Sequence, residues 1–205
     1  MEKAMTPRHP LEGEILYSAD QILRGIEGLA KKLERQFGRG QEPVCLVGVM
    51  MGAFPFLCDL ARALLTTGVP NVVTDHLFIE SYVGTAPDGE PRIYRDLRMP
   101  ITDRTVVLLE DIVDTGATLS CARAHLLAQH PRQLITCALL ERRNANPNPP
   151  LDHRVFVIPS DAFVIGYGLD WNGQGREFDD ISVINTDHAR VMERFFSSPK
   201  EPASV

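Results

Sequence analysis

The chain has 205 residues, with 21 basic and 27 acidic side chains, a formal charge of −6 and a pI near 5.5. A hydrophobic fraction of 44% and a charged fraction of 23% are those of an ordinary globular protein, which excludes disorder over most of the chain. The net acidity argues against nucleic acid as the main partner, because a phosphate backbone demands a basic face.

Hydrophobic periodicity predicts helices and strands in alternation. Residues 1–14 are polar and predict a loose arm. The S-x-x-Q sequence from Ser18 to Gln21 is typical of a capping box, and apolar residues at helical spacing follow it, which predicts a helix that ends near Phe37. Short apolar runs then predict strands at 44–49, 72–79, 92–94, 105–109, 133–140, 155–158, 163–165 and 181–184, and helical spacing predicts helices at 53–66 and 119–129. Loops rich in glycine and proline are expected at 84–91 and 144–150.

This alternation predicts an α/β fold with a central, mainly parallel sheet flanked by helices. A chain of this length is expected to form a single domain, residues 15–196, between a flexible arm at 1–14 and a tail at 197–205. Such folds bind ligands beyond the carboxyl ends of their strands. The loops at that edge are residues 50–52, residues 110–118 and the loop after Leu140.

The cysteines and the N-terminus predict a cytoplasmic protein. The four cysteines form no C-x-x-C pair and are expected to be buried free thiols in a reducing compartment. The N-terminal residues lack the apolar stretch of a signal peptide, and no apolar run approaches the roughly 20 residues that span a bilayer. We therefore expect neither nucleic acid nor membrane as a partner.

The most informative segment is VVLLEDIVDTGATL, residues 106–119. Its first half places two adjacent acids, Glu110 and Asp111, where a buried strand is predicted to end. Two carboxylates at that point can accept hydrogen bonds from neighbouring sugar hydroxyls, directly or through a divalent cation. The first half therefore predicts an anchor for a ribose.

The second half of the segment runs from Asp114 to Thr118 and leads into a predicted helix. Gly116 lets the backbone approach closely, amide groups at a helix N-terminus point at an anion, and Thr115 and Thr118 add hydroxyl donors. This half predicts a cradle for the 5′-phosphate of the same sugar. A bare D-T-G-x-T string also suits an ordinary acidic turn before a helix, but the whole segment is much rarer by chance.

The segment resembles the phosphoribosyl-pyrophosphate motif of type I phosphoribosyltransferases, and in particular that of the hypoxanthine-guanine phosphoribosyltransferases. The resemblance covers most of residues 44–184, and the stretch FVIGYGLD at 163–170 is specific to the purine branch. It implies the type I phosphoribosyltransferase fold, with a small hood subdomain over the base site built from the N-terminal segment and residues 150–190. It also implies a homodimer or homotetramer.

The resemblance implies a glycosyltransferase of purine salvage. Such an enzyme transfers a phosphoribosyl group from phosphoribosyl pyrophosphate to N9 of hypoxanthine or guanine, with magnesium, and releases pyrophosphate and IMP or GMP. Carried over residue by residue, Glu110 and Asp111 engage the ribose hydroxyls and the metal, and Asp114 helps move the base proton near purine N7. The 5′-phosphate is then held by Thr115, Gly116, Ala117 and Thr118.

The remaining roles implied by the resemblance concern the base, the metal and the pyrophosphate. Phe163 stacks on the purine face, and Val164 reads the base edge through its backbone. Asp170 matches a magnesium ligand, and Arg176 meets the pyrophosphate. A loop that closes over the reacting centre and excludes water opens at Ser81 and Tyr82.

Two positions depart from the common pattern of the family. The residue before Gly52 is often a lysine in the family and is Met51 here. In the family this loop meets pyrophosphate largely through backbone N–H groups, often across a cis peptide. Met51 therefore keeps the backbone donors and loses the positive charge of the lysine. Many members also have a lysine that donates to purine O6, and Arg142 is its counterpart, with a planar fork in place of a point charge. We expect acceptance of hypoxanthine and guanine and strong discrimination against adenine.

Two alternatives remain open from the sequence. A nucleotide-sensing regulatory protein that binds RNA could use the same scaffold, but it would need a basic face, which a charge of −6 does not offer overall. A phosphoribosyltransferase that prefers xanthine or a pyrimidine is the other alternative. The purine-type stretch at 163–170 disfavours pyrimidines and leaves xanthine open.

Overall fold

The computed structural model describes residues 9–37, 43–69, 71–80, 90–145, 147 and 150–188. In chain order the elements are β1 (Glu12–Tyr17), α1 (Ala19–Phe37), β2 (Val44–Met50), α2 (Phe54–Thr67), β3 (Val72–Glu80), β4 (Arg92–Arg95), β5 (Thr105–Val113), α3 (Ala117–Leu127), β6 (Gln133–Arg142), β7 (His153–Ile158), β8 (Val164–Ile165) and β9 (Ile181–Ile184). The main sheet has the order β4-β3-β2-β5-β6-β7, with β4 antiparallel to β3 and the other neighbours parallel. The expected α/β fold with a central, mainly parallel sheet is confirmed.

The central strands β2 and β5 are buried on both faces of the main sheet. Both read as nearly continuous apolar runs, as a parallel sheet covered by helices on both sides requires. Leu46 and Val107 pack in the cluster that contains α1 and α2, whereas Val47 and Leu108 pack in the cluster that contains α3. Alternate residues thus pack into opposite layers, and the two acids of β5, Glu110 and Asp111, lie towards its carboxyl end.

Helix α1 begins at the predicted capping box. The Ser18 amide donates to Gln21 Oε1 at 2.9 Å, and the Gln21 amide donates to Ser18 Oγ at 3.4 Å. One face of the helix is buried, at positions three or four residues apart: Ile22, Ile26, Leu29, Ala30 and Leu33. The helix extends to Phe37, as the periodicity predicts.

A second, antiparallel sheet has the order β1-β9-β8. Residues 12–14 were predicted as part of an unstructured arm, and this boundary was wrong because they belong to β1, where Glu12 pairs with Ile184 of β9. Leu11 is fully buried in the same cluster as Ile184, so packing against the far end of the chain holds the strand in place. The predicted tail at 197–205 lies outside the described residues.

The four cysteines are free thiols, although they are less uniformly buried than expected. Cys45 and Cys137 are buried, whereas Cys58 and Cys121 are half-buried. Burial raises the pKa of both Cys137 and Cys121 above the ordinary thiol value. Among the helices of the described ranges, none has the length and apolarity needed to cross a membrane.

Candidate active site

The two acids of the phosphoribosyl motif lie within a strand, not beyond its end. The predicted strand stops at residue 109, whereas β5 continues to Val113, because Glu110, Ile112 and Val113 still pair with residues of β6. Glu110 is buried, and its Oε2 has no hydrogen-bond partner. Asp111 is half-buried, and its Oδ1 accepts the amide of Ile112 at 2.8 Å.

The two acids of β5, Glu110 and Asp111, called here the carboxylate pair, both have raised pKa values. Burial and the neighbouring Asp111 raise the pKa of Glu110 well above its usual range. Burial also raises the pKa of Asp111, although the Arg176 guanidinium opposes that rise. Since a buried carboxyl oxygen without a partner is costly, Glu110 Oε2 is placed to accept a donor or a cation from a ligand.

The segment after β5 forms the cradle, residues 114–118. Gly116 has a φ of 81°, in the left-handed region, and directly precedes α3. A side chain at this position would collide with Pro147, since a Cβ would lie 2.7 Å from the Cβ of that proline. Helix α3 begins at Ala117, two residues before its predicted start, so its first turn lines a cavity of about 80 Å³ together with Glu110 and residues 112–116. The Ala117 amide donates to Thr115 Oγ1 at 3.3 Å.

Arg142 joins the cradle to the segment that leads to Phe163. It is the last residue of β6, two residues beyond the predicted end of that strand. Its Nη1 donates to the carbonyl of Ala162 at 2.6 Å and to that of Ser160 at 3.2 Å. Its Nε lies 3.1 Å from Asp114 Oδ2, an ion-pair contact, and the Asp114 side chain is 67% exposed. Arg142 therefore reaches both the acid of the cradle and the backbone beside the aromatic residue.

Phe163 and Val164 occupy the junction between the two sheets. Phe163 is 48% exposed, which is unusual for a phenylalanine, while its carbonyl accepts the amide of Ile184 at 2.9 Å. Val164 is buried at the start of β8 and pairs with Val183. The strand thus fixes the backbone of Phe163 while the ring stays open to a ligand.

Residues 50–52 lead from the last residue of β2 towards α2 and are called here the pyrophosphate loop, after their predicted role. The peptide bond between Met50 and Met51 is cis, and the Met51 side chain is 54% exposed. Gly52 is buried, and a Cβ on it would lie 1.6 Å from Asp111 Oδ2. A side chain at residue 52 would have to displace the Asp111 carboxylate, so the backbone of this loop lies directly against Asp111.

Arg176 and Asp170 form an ion pair beside that loop. Arg176 Nη2 lies 2.6 Å from Asp170 Oδ1, and Nη1 donates to the carbonyl of Gly168 at 2.6 Å. The second Asp170 oxygen accepts the amide of Gly173 at 2.6 Å. The two residues to which the resemblance gives separate roles, one for the metal and one for pyrophosphate, thus contact each other directly.

The predicted site residues within the described ranges lie along one connected path. The path runs from Phe163 through Arg142 to the cradle, the carboxylate pair, Gly52 and Arg176. Ser81 and Tyr82 lie outside the described residues. The sequence did not indicate a role for Pro147, which packs against Gly116, or for Gly168, which packs against Gly52. The available signal for Pro147 was the proline-rich loop, and that for Gly168 was the second glycine of the G-Y-G triplet.

Comparisons with known proteins agree with this arrangement. The phosphoribosyl transferase domain family matches residues 12–172. Hypoxanthine-guanine phosphoribosyltransferase of Aquifex aeolicus is 35% identical over 83% of this chain and 94% of its own length. A Trypanosoma cruzi hypoxanthine phosphoribosyltransferase structure, solved in complex with the product IMP, superposes with a TM-score of 0.80 at 34% identity, covering 89% of this chain and 99% of that one.

Another Trypanosoma cruzi structure concerns the role of the C-terminal region in oligomeric state and enzymatic activity; it superposes with a TM-score of 0.83 at 33% identity, covering 92% of this chain and all of that one. The family match runs from the start of β1 to residue 172, so it includes the path of site residues from Gly52 to Asp170 and ends before Arg176. The chain belongs to the phosphoribosyltransferase family and, within it, to the hypoxanthine-guanine phosphoribosyltransferases.

Proposed function

We propose that this enzyme transfers a phosphoribosyl group from phosphoribosyl pyrophosphate to N9 of hypoxanthine or guanine, forming IMP or GMP and pyrophosphate in purine salvage. The observation that carries the proposal is the bridge made by Arg142. It links Asp114 of the phosphate cradle to the backbone beside Phe163. A ribose phosphate bound in the cradle and a purine stacked on the ring would therefore meet at Asp114.

The donor would bind between the cradle and the carboxylate pair. The first amides of α3 and the hydroxyls of Thr115 and Thr118 would hold the 5′-phosphate. Glu110 and Asp111 would accept the ribose hydroxyls, which gives a partner to the Glu110 oxygen that has none. The amides of the pyrophosphate loop and the Arg176 guanidinium would then meet the two leaving phosphates.

Magnesium fits the acidic groups of this site. The described residues contain no group of three or more His, Cys, Asp or Glu that could hold a metal by itself. Mg²⁺ suits such a sparse site, because it is usually bound by one or two carboxylates together with substrate phosphates and water. Glu110, Asp111 and Asp170 are the candidate ligands, and the bound ion would neutralise charge on the pyrophosphate.

Asp114 is the candidate group for proton transfer. Its exposed carboxylate lies at the mouth of the cradle, and Arg142 holds one oxygen at 3.1 Å. A carboxylate in this place can take the N7 proton of the purine as N9 attacks the ribose. Water would be excluded by the ring of the bound base on one side and by Pro147, buried against Gly116, on the other.

Truncating the stacking ring should weaken base binding selectively. Phe163→Ala should raise KM for hypoxanthine by about ten- to a hundredfold, because stacking on an aromatic ring contributes roughly 1–3 kcal/mol per base. The affinity for phosphoribosyl pyrophosphate should not change. Leu65→Ala removes another exposed apolar side chain, 65% exposed on α2, and is the matched control. Equal KM values for hypoxanthine in Phe163→Ala and wild type would exclude the ring from the base site.

Arg142 should discriminate between bases. Its guanidinium carries five donors, so contacts with two carbonyls leave others for purine O6, whereas adenine presents a donor there. Arg142→Ala should lower kcat/KM for hypoxanthine by about ten- to a hundredfold, and that for adenine by less, since a charged hydrogen bond contributes roughly 1.5–3 kcal/mol. Steady-state kinetics measure kcat/KM for both bases in the wild type and the variant. An equal fold loss of kcat/KM on hypoxanthine and adenine would exclude Arg142 from base recognition.

We further propose that the enzyme assembles as a homodimer or homotetramer. The support is the related Trypanosoma cruzi enzyme, for which the C-terminal region has a role in oligomeric state and enzymatic activity. Met51 and Phe54 expose apolar surface at the rim of a cavity of about 310 Å³ beside the pyrophosphate loop. Light scattering coupled to size-exclusion chromatography would give the molar mass directly, and a monomer at micromolar concentration would contradict the assembly.

The test of the proposed function is a panel of bases. The protein is incubated with magnesium, phosphoribosyl pyrophosphate and, in separate reactions, hypoxanthine, guanine, xanthine, adenine or uracil. We expect nucleotide from hypoxanthine and guanine and little from adenine or uracil. A higher kcat/KM for xanthine than for hypoxanthine would change the substrate assignment, and nucleotide from none of the five bases would contradict the enzyme.

A further inference from the structure

A buried tyrosine anchors the second sheet to helix α2. Tyr167 is 8% exposed, and its hydroxyl donates to Asp59 Oδ2 at 2.5 Å. The other Asp59 oxygen pairs with the exposed Arg62 at 2.5 Å. Burial, with a further contribution from the Asp59 carboxylate, raises the pKa of Tyr167, so the hydroxyl remains a donor across the physiological range.

The backbone at Tyr167 adopts a conformation that needs such an anchor. Its φ is 49°, in the left-handed region that non-glycine residues rarely adopt. The flanking glycines, Gly166 and Gly168, also have positive φ values, 103° and 98°. These three residues, called here the hood turn, are held in a conformation that costs free energy, and the surrounding contacts must determine it.

The hood turn contacts the pyrophosphate loop without an intervening side chain. A Cβ on Gly168 would lie 2.1 Å from the carbonyl oxygen of Gly52. On its other side, a Cβ on Gly52 would lie 1.6 Å from Asp111 Oδ2. The hood turn therefore meets the pyrophosphate loop backbone to backbone, and that loop in turn lies against the Asp111 side chain of β5, so a shift of the hood turn displaces the loop.

The hood turn also holds Arg176. The Gly168 carbonyl accepts Arg176 Nη1 at 2.6 Å, and the Gly168 amide donates to the Arg176 carbonyl at 3.0 Å. On the opposite side, α2 begins at Phe54, one residue beyond the pyrophosphate loop, and carries Asp59 in its second turn. Asp59 is thus linked through α2 to the pyrophosphate loop, and Arg176 is linked through its hydrogen bonds with Gly168 to the hood turn.

We propose that the hydrogen bond from Tyr167 to Asp59 is a positioning contact, which sets the spacing between the amides of the pyrophosphate loop and the Arg176 guanidinium. This inference rests on the proposed function, because it concerns how that site holds pyrophosphate. In the structure the Tyr167 hydroxyl donates to Asp59, and Asp59 also pairs with Arg62, so neither side chain is assigned a substrate contact. The contact acts through the backbone of Gly168, on the pyrophosphate half of the site and not on the base half.

The test is Tyr167→Phe, which removes one oxygen and keeps the ring. We expect the Kd for magnesium pyrophosphate, measured by calorimetry, and its KM in the reverse reaction to rise about tenfold, which is the lower end for a lost hydrogen bond to a charged group. The KM for hypoxanthine in the forward reaction should not change. If the role were purely structural, the binding of pyrophosphate and of hypoxanthine would weaken together, and the melting temperature would fall as binding weakens.

Variants on the other side of the bond sharpen the test. Asp59→Ala removes the acceptor and should cause the same loss of affinity for magnesium pyrophosphate, and it provides the test if Tyr167→Phe does not fold. Asp59→Asn keeps an acceptor oxygen and should retain most of that affinity. Arg62→Ala removes only the second, exposed partner of Asp59 and is the matched control. Unchanged pyrophosphate affinity in Asp59→Ala, or an equal rise in KM for hypoxanthine, would overturn the proposal. Because calorimetry needs no turnover, an inactive wild type would contradict the proposed function and still leave the contact testable.

Discussion

Asp114→Asn should lower kcat by about 10²–10⁴-fold, the usual contribution of general acid–base catalysis. The substitution keeps the shape of the side chain and removes the charge that accepts the purine N7 proton. The KM for phosphoribosyl pyrophosphate should remain close to that of wild type, because the cradle binds phosphate through amides and hydroxyls that the substitution leaves in place. Steady-state kinetics with hypoxanthine measure both quantities.

Asp103→Asn is the matched control for this variant. Asp103 is an exposed aspartate in the turn before β5, at the amino edge of the sheet and away from the cradle. Its φ of 57° is one that asparagine tolerates well, so the fold should not change. Wild-type kcat in Asp114→Asn would show that Asp114 takes no proton, and an equal loss in both variants would point to instability instead.

Replacing both Glu110 and Asp111 by alanine should weaken donor binding by at least about a hundredfold, since each lost charge-assisted contact is worth roughly 1.5–3 kcal/mol. The fold should survive, because one carboxyl oxygen of the pair has no hydrogen-bond partner and the burial of both groups is unfavourable. Calorimetric titration with phosphoribosyl pyrophosphate and magnesium measures the affinity, and thermal unfolding reports the stability.

An isosteric pair of substitutions separates charge from packing in that experiment. Glu110→Gln with Asp111→Asn keeps the volume of both side chains and removes their charge, so it should lose most of the magnesium-dependent affinity without leaving a cavity. Normal donor affinity in the double alanine variant would mean that the strand end does not hold the ribose or the metal. A folded variant that binds the donor poorly is the expected result.

The regular part of the fold could be predicted from local sequence. The capping box at Ser18 and Gln21 determines where α1 starts, and the apolar runs of β2 and β5 are long enough to identify strands buried on both faces. Gly116 precedes α3 with a φ of 81°, a conformation that glycine adopts without strain, while its close approach to an anion stays a prediction. In each case the physical cause lies within a few residues of its effect.

The failures of prediction depend on contacts between distant segments. Two adjacent acids predict the end of a strand, but pairing with β6 carries β5 through Glu110 to Val113. The strand β1 forms because its partner β9 lies at the other end of the chain. No local pattern indicates that Arg142 bonds to the Ala162 carbonyl, or that Gly168 rests against Gly52. These contacts assemble the site, and the fold alone reveals them.

The most direct measurement is a reaction in which both products are followed at once. The protein is mixed with magnesium, phosphoribosyl pyrophosphate and hypoxanthine, and IMP and pyrophosphate are quantified over time, with Asp114→Asn in parallel. We predict equal amounts of IMP and pyrophosphate from the wild type and a strongly reduced rate of both from the variant. Pyrophosphate without IMP, or neither product from the wild type, would contradict phosphoribosyl transfer to the base.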